Sequence, residues 1–110
     1  MFVIIGNDIH ITRGDTGRCG LDIKKSDGTD YDVQEGDGVL FTVKASPKDA
    51  QFLIQKDIGT SGQIIIDPED TENLDYGSYF YDVQLTRVAD GSVNTVITPS
   101  AFVVEEEVTF

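Results

Sequence analysis

Several kinds of residue are scarce in this chain, and the shortages of cysteine and of basic residues limit what the protein can be. Cys19 is the only cysteine, so the chain forms no internal disulfide and gives no sign of an oxidising compartment. There is no tryptophan, and His10 is the only histidine. Eight basic residues stand against twenty acidic ones, and the resulting formal charge of -12 repels phosphate backbones and anionic bilayers. We therefore expect no nucleic acid and no membrane as partner.

The length of 110 residues fits a single domain, residues 1–110, which needs neither a metal nor a disulfide to fold. The apolar start of the chain has no basic flank, long hydrophobic segment or small-residue cleavage site, so it is not predicted to be a signal peptide. No other run approaches the length of a membrane span. The sequence contains no recognisable catalytic constellation, and we predict a non-enzymatic protein with no cofactor and no metal site.

Apolar and polar residues alternate in short segments, which is the pattern of half-buried strands. Turn residues separate the segments, and two Asp-Gly pairs, Asp27-Gly28 and Asp90-Gly91, favour tight hairpins. One helical turn is expected over residues 68–73, because Asp67 is a good N-cap and Pro68 fits the first helical position. The pattern predicts an all-β, two-sheet antiparallel sandwich of seven to eight strands. The expected strands cover residues 9–13, 18–24, 39–45, 52–58, 63–66, 79–86, 93–97 and 102–104.

The most specific local pattern is the stretch Asp75-Tyr76-Gly77-Ser78-Tyr79-Phe80-Tyr81. It reproduces the Asp-x-Gly-x-Tyr-x-Cys corner of immunoglobulin-like sandwiches, with Tyr81 in the position of the Cys. Gly77 is expected to supply a backbone conformation closed to other residues. Tyr79 is expected to be largely buried and to turn its hydroxyl onto the main chain of residues 68–75. We therefore predict an immunoglobulin-like fold in which Asp75, Gly77, Tyr79 and Tyr81 form the structural corner.

The disulfide that joins the two sheets of antibody domains is missing from this sequence. Cys19 lies where the first cysteine of that disulfide would be, and Tyr81 occupies the position of the second. A bulky tyrosine against a small cysteine fills the space between the sheets, so packing takes over the role of the bridge. Cys19 is expected to be buried on the inner face with Leu21 and Ile23, and Phe41 to stand in for the tryptophan of the third strand.

Short motifs follow one another along the whole chain in a characteristic order. They are Thr12-Arg13-Gly14-Asp15-Thr16, Asp27-Gly28, Phe41-Thr42-Val43-Lys44, Pro68-Glu69-Asp70-Thr71 with Leu74, the run from Tyr76 to Leu85, Asp90-Gly91, and Phe102 with Glu107-Val108-Thr109. In order and spacing they resemble the small β-sandwich structural proteins of phage and prophage tail or baseplate regions, and in pattern the N-terminal module of baseplate upper proteins. The resemblance implies a virion protein, made in the bacterial host cytoplasm, that binds its own copies or other phage structural proteins.

Three further patterns point to sites, and each also has a simpler interpretation. Arg13-Gly14-Asp15 spells the integrin-recognition tripeptide, but here it closes a strand within the motif order above. His10 lies between Ile9 and Ile11 on the polar side of a strand, and the sequence does not supply it with a nucleophile or an orienting partner. Acidic clusters occur at residues 27–32, 67–70 and 105–107, without the spacing of an EF-hand calcium loop.

Two classes of function remain, an assembly module and a ligand-binding module. Phe2-Val3-Ile4-Ile5 carries none of the charges or prolines that blunt the edge strands of soluble monomers, so these residues are the candidate assembly contact. The alternative is recognition of carbohydrate or of another host-surface ligand, which requires exposed aromatic rings. Phe80 and Tyr31 are the expected outward rings, whereas Tyr79 and Tyr81 are expected to be buried. The scarcity of exposed rings and the absence of tryptophan favour assembly.

Overall fold

The computed structural model describes residues 1–25 and 27–107. Ser26, in the first predicted hairpin, and residues 108–110, where the last motif and the predicted domain end, lie outside the described residues. The strands are β1 (Phe2–Ile5), β2 (Asp8–Thr12), β3 (Gly17–Gly20), β4 (Gly38–Lys44), β5 (Ile54–Asp57), β6 (Gln63–Ile66), β7 (Gly77–Thr86) and β8 (Val93–Glu105). The helices are a short 3-10 helix (Gly59–Ser61) and α1 (Pro68–Thr71).

Six strands form the larger sheet, in the order β1-β2-β8-β7-β4-β5, and β3 pairs with β6 in the smaller one. This arrangement confirms the predicted all-β sandwich. The prediction that both sheets are antiparallel is wrong for one pair: all neighbours are antiparallel except β2 and β8, which run parallel, so the larger sheet is mixed. The parallel pair arises because the chain crosses to the smaller sheet after β2 and returns, after several elements, along the same direction in β8.

The core lies between the sheets and takes every second residue of the strands. Burial alternates along the whole of β4 and along β7 from Tyr81 onward, as their sequences predict. The ring of Phe41 lies 5.4 Å from that of Tyr81 and 6.2 Å from that of Phe102, which puts Phe41 at the centre of the aromatic packing. The buried apolar residues are Ile9, Ile11, Ile23, Val39, Phe41, Val43, Ile54, Ile58, Ile64, Ile66, Tyr81, Val83, Leu85, Phe102 and Val104.

The last strand differs from the prediction. The sequence predicts two segments interrupted at Pro99, whereas the structure has one strand, β8, of 13 residues. The ladder pairs Tyr81 with Ser100 and next pairs Val83 with Ile97, so Pro99 lies in a bulge. A residue in a bulge is not required to donate to the ladder, and Pro99 has no amide hydrogen to donate. The strand therefore continues through the proline.

α1 is a single turn and ends two residues earlier than the predicted range of 68–73. The Asp67 amide donates to the Asp70 carboxylate at 2.7 Å, and the Lys56 ammonium lies 2.9 Å from Asp67 and 2.5 Å from Asp70. The helix ends because the Leu74 amide bonds to the Thr71 carbonyl, three residues back, instead of continuing the four-residue pattern. No helix in the described ranges is long and apolar enough to cross a membrane.

β3 is also shorter than its sequence predicts. Its ladder with β6 ends at Gly20. Among the described residues only one further bond follows, from the Leu21 amide to the Gly62 carbonyl at 2.9 Å, because Gly62, with a φ of 69°, turns the partner chain toward the 3-10 helix. Beyond β3, Lys24 and Asp30 form an isolated pair around a turn in which Gly28 has a φ of 87°. Ile23 is still buried in the core, although it comes from a connection and not from a strand.

Candidate functional site

The predicted corner forms where the chain leaves α1 and enters β7. Gly77 has a φ of 141°, a backbone conformation that residues with a side chain rarely adopt. The Tyr79 hydroxyl donates to the Asp75 carbonyl at 2.7 Å, within the segment of residues 68–75. Tyr79 itself is half-buried, so water reaches part of the ring that we expected to be largely covered. Burial, and secondarily the Asp75 carboxylate, raise the pKa of Tyr79.

Tyr81 lies in the position of the missing cysteine and is only 4% exposed. Its hydroxyl donates to the Asn7 carbonyl in the β1–β2 turn, so the residue ties the corner strand to the edge of the sheet. Burial raises the pKa of Tyr81 to about 12, with smaller contributions from the nearby Cys19 and Asp8. Cys19 is half-buried, whereas full burial was predicted, because the two-stranded sheet of β3 and β6 leaves both of its edges open. Burial raises the pKa of the Cys19 thiol.

Arg13 and Asp15 of the integrin-like tripeptide make contacts within the protein itself. The Arg13 guanidinium stacks 4.3 Å from the centre of the Tyr76 ring and donates to the Glu107 carboxylate at 3.0 Å. The Gly14 amide donates to the hydroxyl of the buried Thr71 at 2.9 Å. The Asp15 carboxylate accepts from the N-terminal ammonium. The tripeptide therefore joins β2 to the corner and to the end of β8.

His10 and the acidic clusters also have partners within the fold. His10 lies on the outer face of the large sheet, and its Nδ1 is 3.0 Å from the Glu105 carboxylate. The Asp27 carboxylate accepts from the Thr29 hydroxyl at 2.6 Å and from the Thr29 amide at 3.0 Å, and these bonds lower the pKa of Asp27. In the part of the chain that the structure describes, no three His, Cys, Asp or Glu side chains are grouped as metal ligands would be.

Tyr31, one of the two expected outward rings, takes part in a buried polar cluster. Its hydroxyl donates to the Asp37 carboxylate at 2.5 Å, and the Arg87 guanidinium lies 5.3 Å from the centre of its ring. Asp37 is buried and also accepts from the amides of Gln34 at 2.9 Å and Val88 at 2.7 Å. The hydrogen bond from Tyr31 contributes most to lowering the pKa of Asp37, and the bonds from the two amides lower it further. Tyr31 is therefore half-buried and bound to Asp37 and Arg87, and the prediction that its ring points outward is wrong.

β1 forms an open edge of the large sheet, and most of its side chains are in water. Val3, Ile4 and Ile5 are 40%, 42% and 64% exposed. Phe2 is half-buried and packs on Gly17, where an added Cβ would lie 2.5 Å from a carbon of the Phe2 ring. One aromatic residue therefore anchors a strand whose other three residues expose large apolar surface.

The backbone of β1 has hydrogen-bonding groups that β2 does not use. The Thr12 amide donates to the Met1 carbonyl at 2.9 Å, which makes Met1 and Thr12 a hydrogen-bonded pair. Such pairs alternate along an antiparallel ladder, so Val3 and Ile5 also bond to β2. The N–H and C=O groups of Phe2 and Ile4 therefore point away from β2, toward the open edge.

The structure also forms a groove that the sequence did not predict. Phe52 was assigned to a strand, but β5 begins only at Ile54, and the connection 45–53 instead lies over the outer face of the large sheet. It leaves a groove of about 250 Å³ between Phe52, which is 53% exposed, and the sheet residues that include Phe80, which is 40% exposed. We call this the outer-face groove.

Comparison of the chain with protein-family models, with curated proteins and with solved structures finds no significant match. Functional assignment therefore depends on the residues described above and on the sequence resemblance.

Proposed function

We propose that this protein is a non-enzymatic structural or assembly module of a phage or prophage tail or baseplate. It joins another copy of itself, or another virion protein, through the β1 edge. The observation that carries the proposal is the exposure of Val3, Ile4 and Ile5 on a strand whose outer backbone groups are unpaired within the described residues. The resemblance of the sequence motifs to those of tail and baseplate sandwich proteins suggests the biological setting of this proposal.

The two edges of the large sheet differ in the way that this function requires. The far edge, β5, has the sequence Ile54-Gln55-Lys56-Asp57, and its charged side chains discourage pairing with another chain. β1 has the sequence Phe2-Val3-Ile4-Ile5 and has no charge, proline or bulge. An edge of this kind is a ready template for a further strand, which would cover the apolar side chains and pair the backbone groups at the same time.

Because the backbone groups of Phe2 and Ile4 point away from β2, a substitution can block the open edge of β1 without removing its bonds to β2. In Ile4→Pro, the lost amide hydrogen is one that points away from β2, so β1 stays paired within the protein while the open edge is blocked. In Val3→Lys, a charge is placed among the exposed apolar side chains. The matched control is Val93→Lys, because Val93 is 61% exposed at the start of β8, away from β1.

We expect the purified protein to self-associate in light scattering, or to co-purify with tail particles, and the two β1 variants to lose this association while Val93→Lys retains it. Circular dichroism and thermal melts establish that each variant is folded. A wild-type protein that is monomeric and absent from tail particles, or β1 variants that assemble normally, would overturn the proposal.

A further inference from the structure

The floor of the outer-face groove is a row of polar side chains on three adjacent strands. Gln55 of β5 lies beside Thr42 of β4, and Thr42 lies beside Asp82 of β7. The Gln55 amide donates to the Thr42 hydroxyl at 3.2 Å, which holds both side chains across the sheet. Gln84 follows two residues along β7 and points to the same face. A hydroxyl, two amides and a carboxylate therefore converge on one small area.

Much of the hydrogen-bonding capacity of this floor is unused. Within residues 1–25 and 27–107, the Asp82 carboxylate and the Gln84 amide have no hydrogen-bond partner. A carboxylate accepts hydrogen bonds, and an amide both accepts and donates them. These two groups suit a ligand with several neighbouring hydroxyls, each of which can donate and accept.

An aromatic ring stands next to these polar groups. Phe80 precedes Asp82 on the same face of β7, and Phe52 lines the groove from the connection 45–53. Both rings are exposed to water, although an apolar residue at such a site gains free energy when it is covered. A sugar ring has an apolar C–H face and polar hydroxyl edges, and it matches a ring beside a carboxylate and an amide.

The charge of the protein and the volume of the groove limit the kinds of ligand that the groove can bind. The formal charge of -12 opposes an anion, and Lys44, the cation of the groove, donates its ammonium to the Asp49 carbonyl at 2.9 Å. The volume of about 250 Å³ is below the range of about 300–1,000 Å³ for drug-sized ligands. We infer that the outer-face groove binds one neutral sugar residue of a glycan, with its C–H face on Phe80 and its hydroxyls on Asp82 and Gln84. The inference does not depend on the β1 edge.

The direct test is a titration of the ¹⁵N-labelled full chain with glucose, galactose and N-acetylglucosamine, followed by NMR. We expect saturable shifts at residues 42, 80, 82 and 84 for at least one of these sugars, with a Kd on the order of 1 mM, as suits a single small ring. Phe80→Ala and Asp82→Asn should each weaken binding about tenfold. Asp22→Asn is the matched control, because it removes the same charge from an exposed position outside the groove.

Asp82→Asn keeps the size of the side chain and Phe80 is on the exposed face, so both variants should keep the dispersed spectrum of the wild type. Gln84→Ala provides a third variant if one of them does not. The inference is overturned if none of the three sugars gives saturable shifts, or if the groove variants bind as the wild type does. It is equally overturned if methylammonium, as a probe of cation binding by Asp82 and Phe80, binds in the groove while the sugars do not.

Discussion

Removal of the Tyr81 hydroxyl tests the central packing of this sandwich. Tyr81→Phe keeps the ring against Phe41, 5.4 Å away, and removes only the hydrogen bond to the Asn7 carbonyl. Asn7 lies in an exposed turn, so water can replace the lost donor and the cost stays near that of one hydrogen bond, about 1 kcal/mol. Removal of the whole side chain in Tyr81→Ala also leaves a cavity and should cost about 3–5 kcal/mol.

The same residue predicts a change in stability at alkaline pH. Its pKa is raised to about 12 in the folded protein and is about 10 in an unfolded chain. The folded state therefore holds the proton more tightly, so the stabilisation is complete below about pH 10 and is lost as the pH rises toward about 12. Tyr81→Phe has no proton to lose at this position. The stability advantage of the wild type over this variant should therefore shrink between about pH 9 and about pH 11.

Urea denaturation followed by circular dichroism, at about pH 9 and about pH 11, measures the difference in the free energy of unfolding between the wild type and each variant. Comparison of wild type with Tyr81→Phe cancels the contribution of the other tyrosines, which titrate in both proteins. A loss of more than about 3 kcal/mol in Tyr81→Phe would show that the hydroxyl supports more than one contact. If the difference in stability between wild type and Tyr81→Phe were the same at the two pH values, the raised pKa of the buried Tyr81 would be refuted.

Three further substitutions or treatments test neighbouring features. Tyr79→Phe should cost about 1 kcal/mol in urea denaturation, because the Asp75 carbonyl loses its donor, and an unchanged midpoint would contradict the corner bond. Gly17→Ala should cost about 1–3 kcal/mol and increase hydrogen exchange in β1, because the new methyl group displaces the Phe2 ring; normal protection of β1 would contradict this packing. Cys19, half-buried and with a raised pKa, should react with a thiol reagent more slowly in the native protein than in urea, and equal rates would contradict its position.

The features that the sequence predicted well depend on neighbours along the chain. The alternation of β7 places Tyr81, Val83 and Leu85 in the core because successive side chains of a strand point to opposite faces. The Asp-x-Gly-x-Tyr pattern brings the Tyr79 hydroxyl to a carbonyl only four residues away. Constraints of this kind depend only on residues close together in the chain, so the sequence alone predicts them.

The features that the sequence missed depend on partners far along the chain. The continuity of β8 through Pro99 follows from a bulge against β7, which no local pattern reveals. The burial of the Tyr31 ring depends in part on Arg87, which stacks on it from more than fifty residues away, although its hydrogen-bond partner Asp37 is only six residues away. Phe52 resembles a strand residue, but the ladder with β4 ends at Ile54 and leaves Phe52 in a connection over the groove.

The sheet order separates the two proposed contacts and so predicts that they act independently. β1 is the first strand of the large sheet, whereas the outer-face groove lies over β7, β4 and β5, the last three, and is also lined by Pro99 of β8. A strand added to β1 would therefore leave the groove open, because β2 lies between β1 and the strands that line the groove. We expect Ile4→Pro to bind the sugar with the same Kd as the wild type, and Asp82→Asn to assemble as the wild type does. Light scattering and the NMR titration on both variants measure this, and a shared loss of assembly and sugar binding in either variant would show that the two surfaces are coupled.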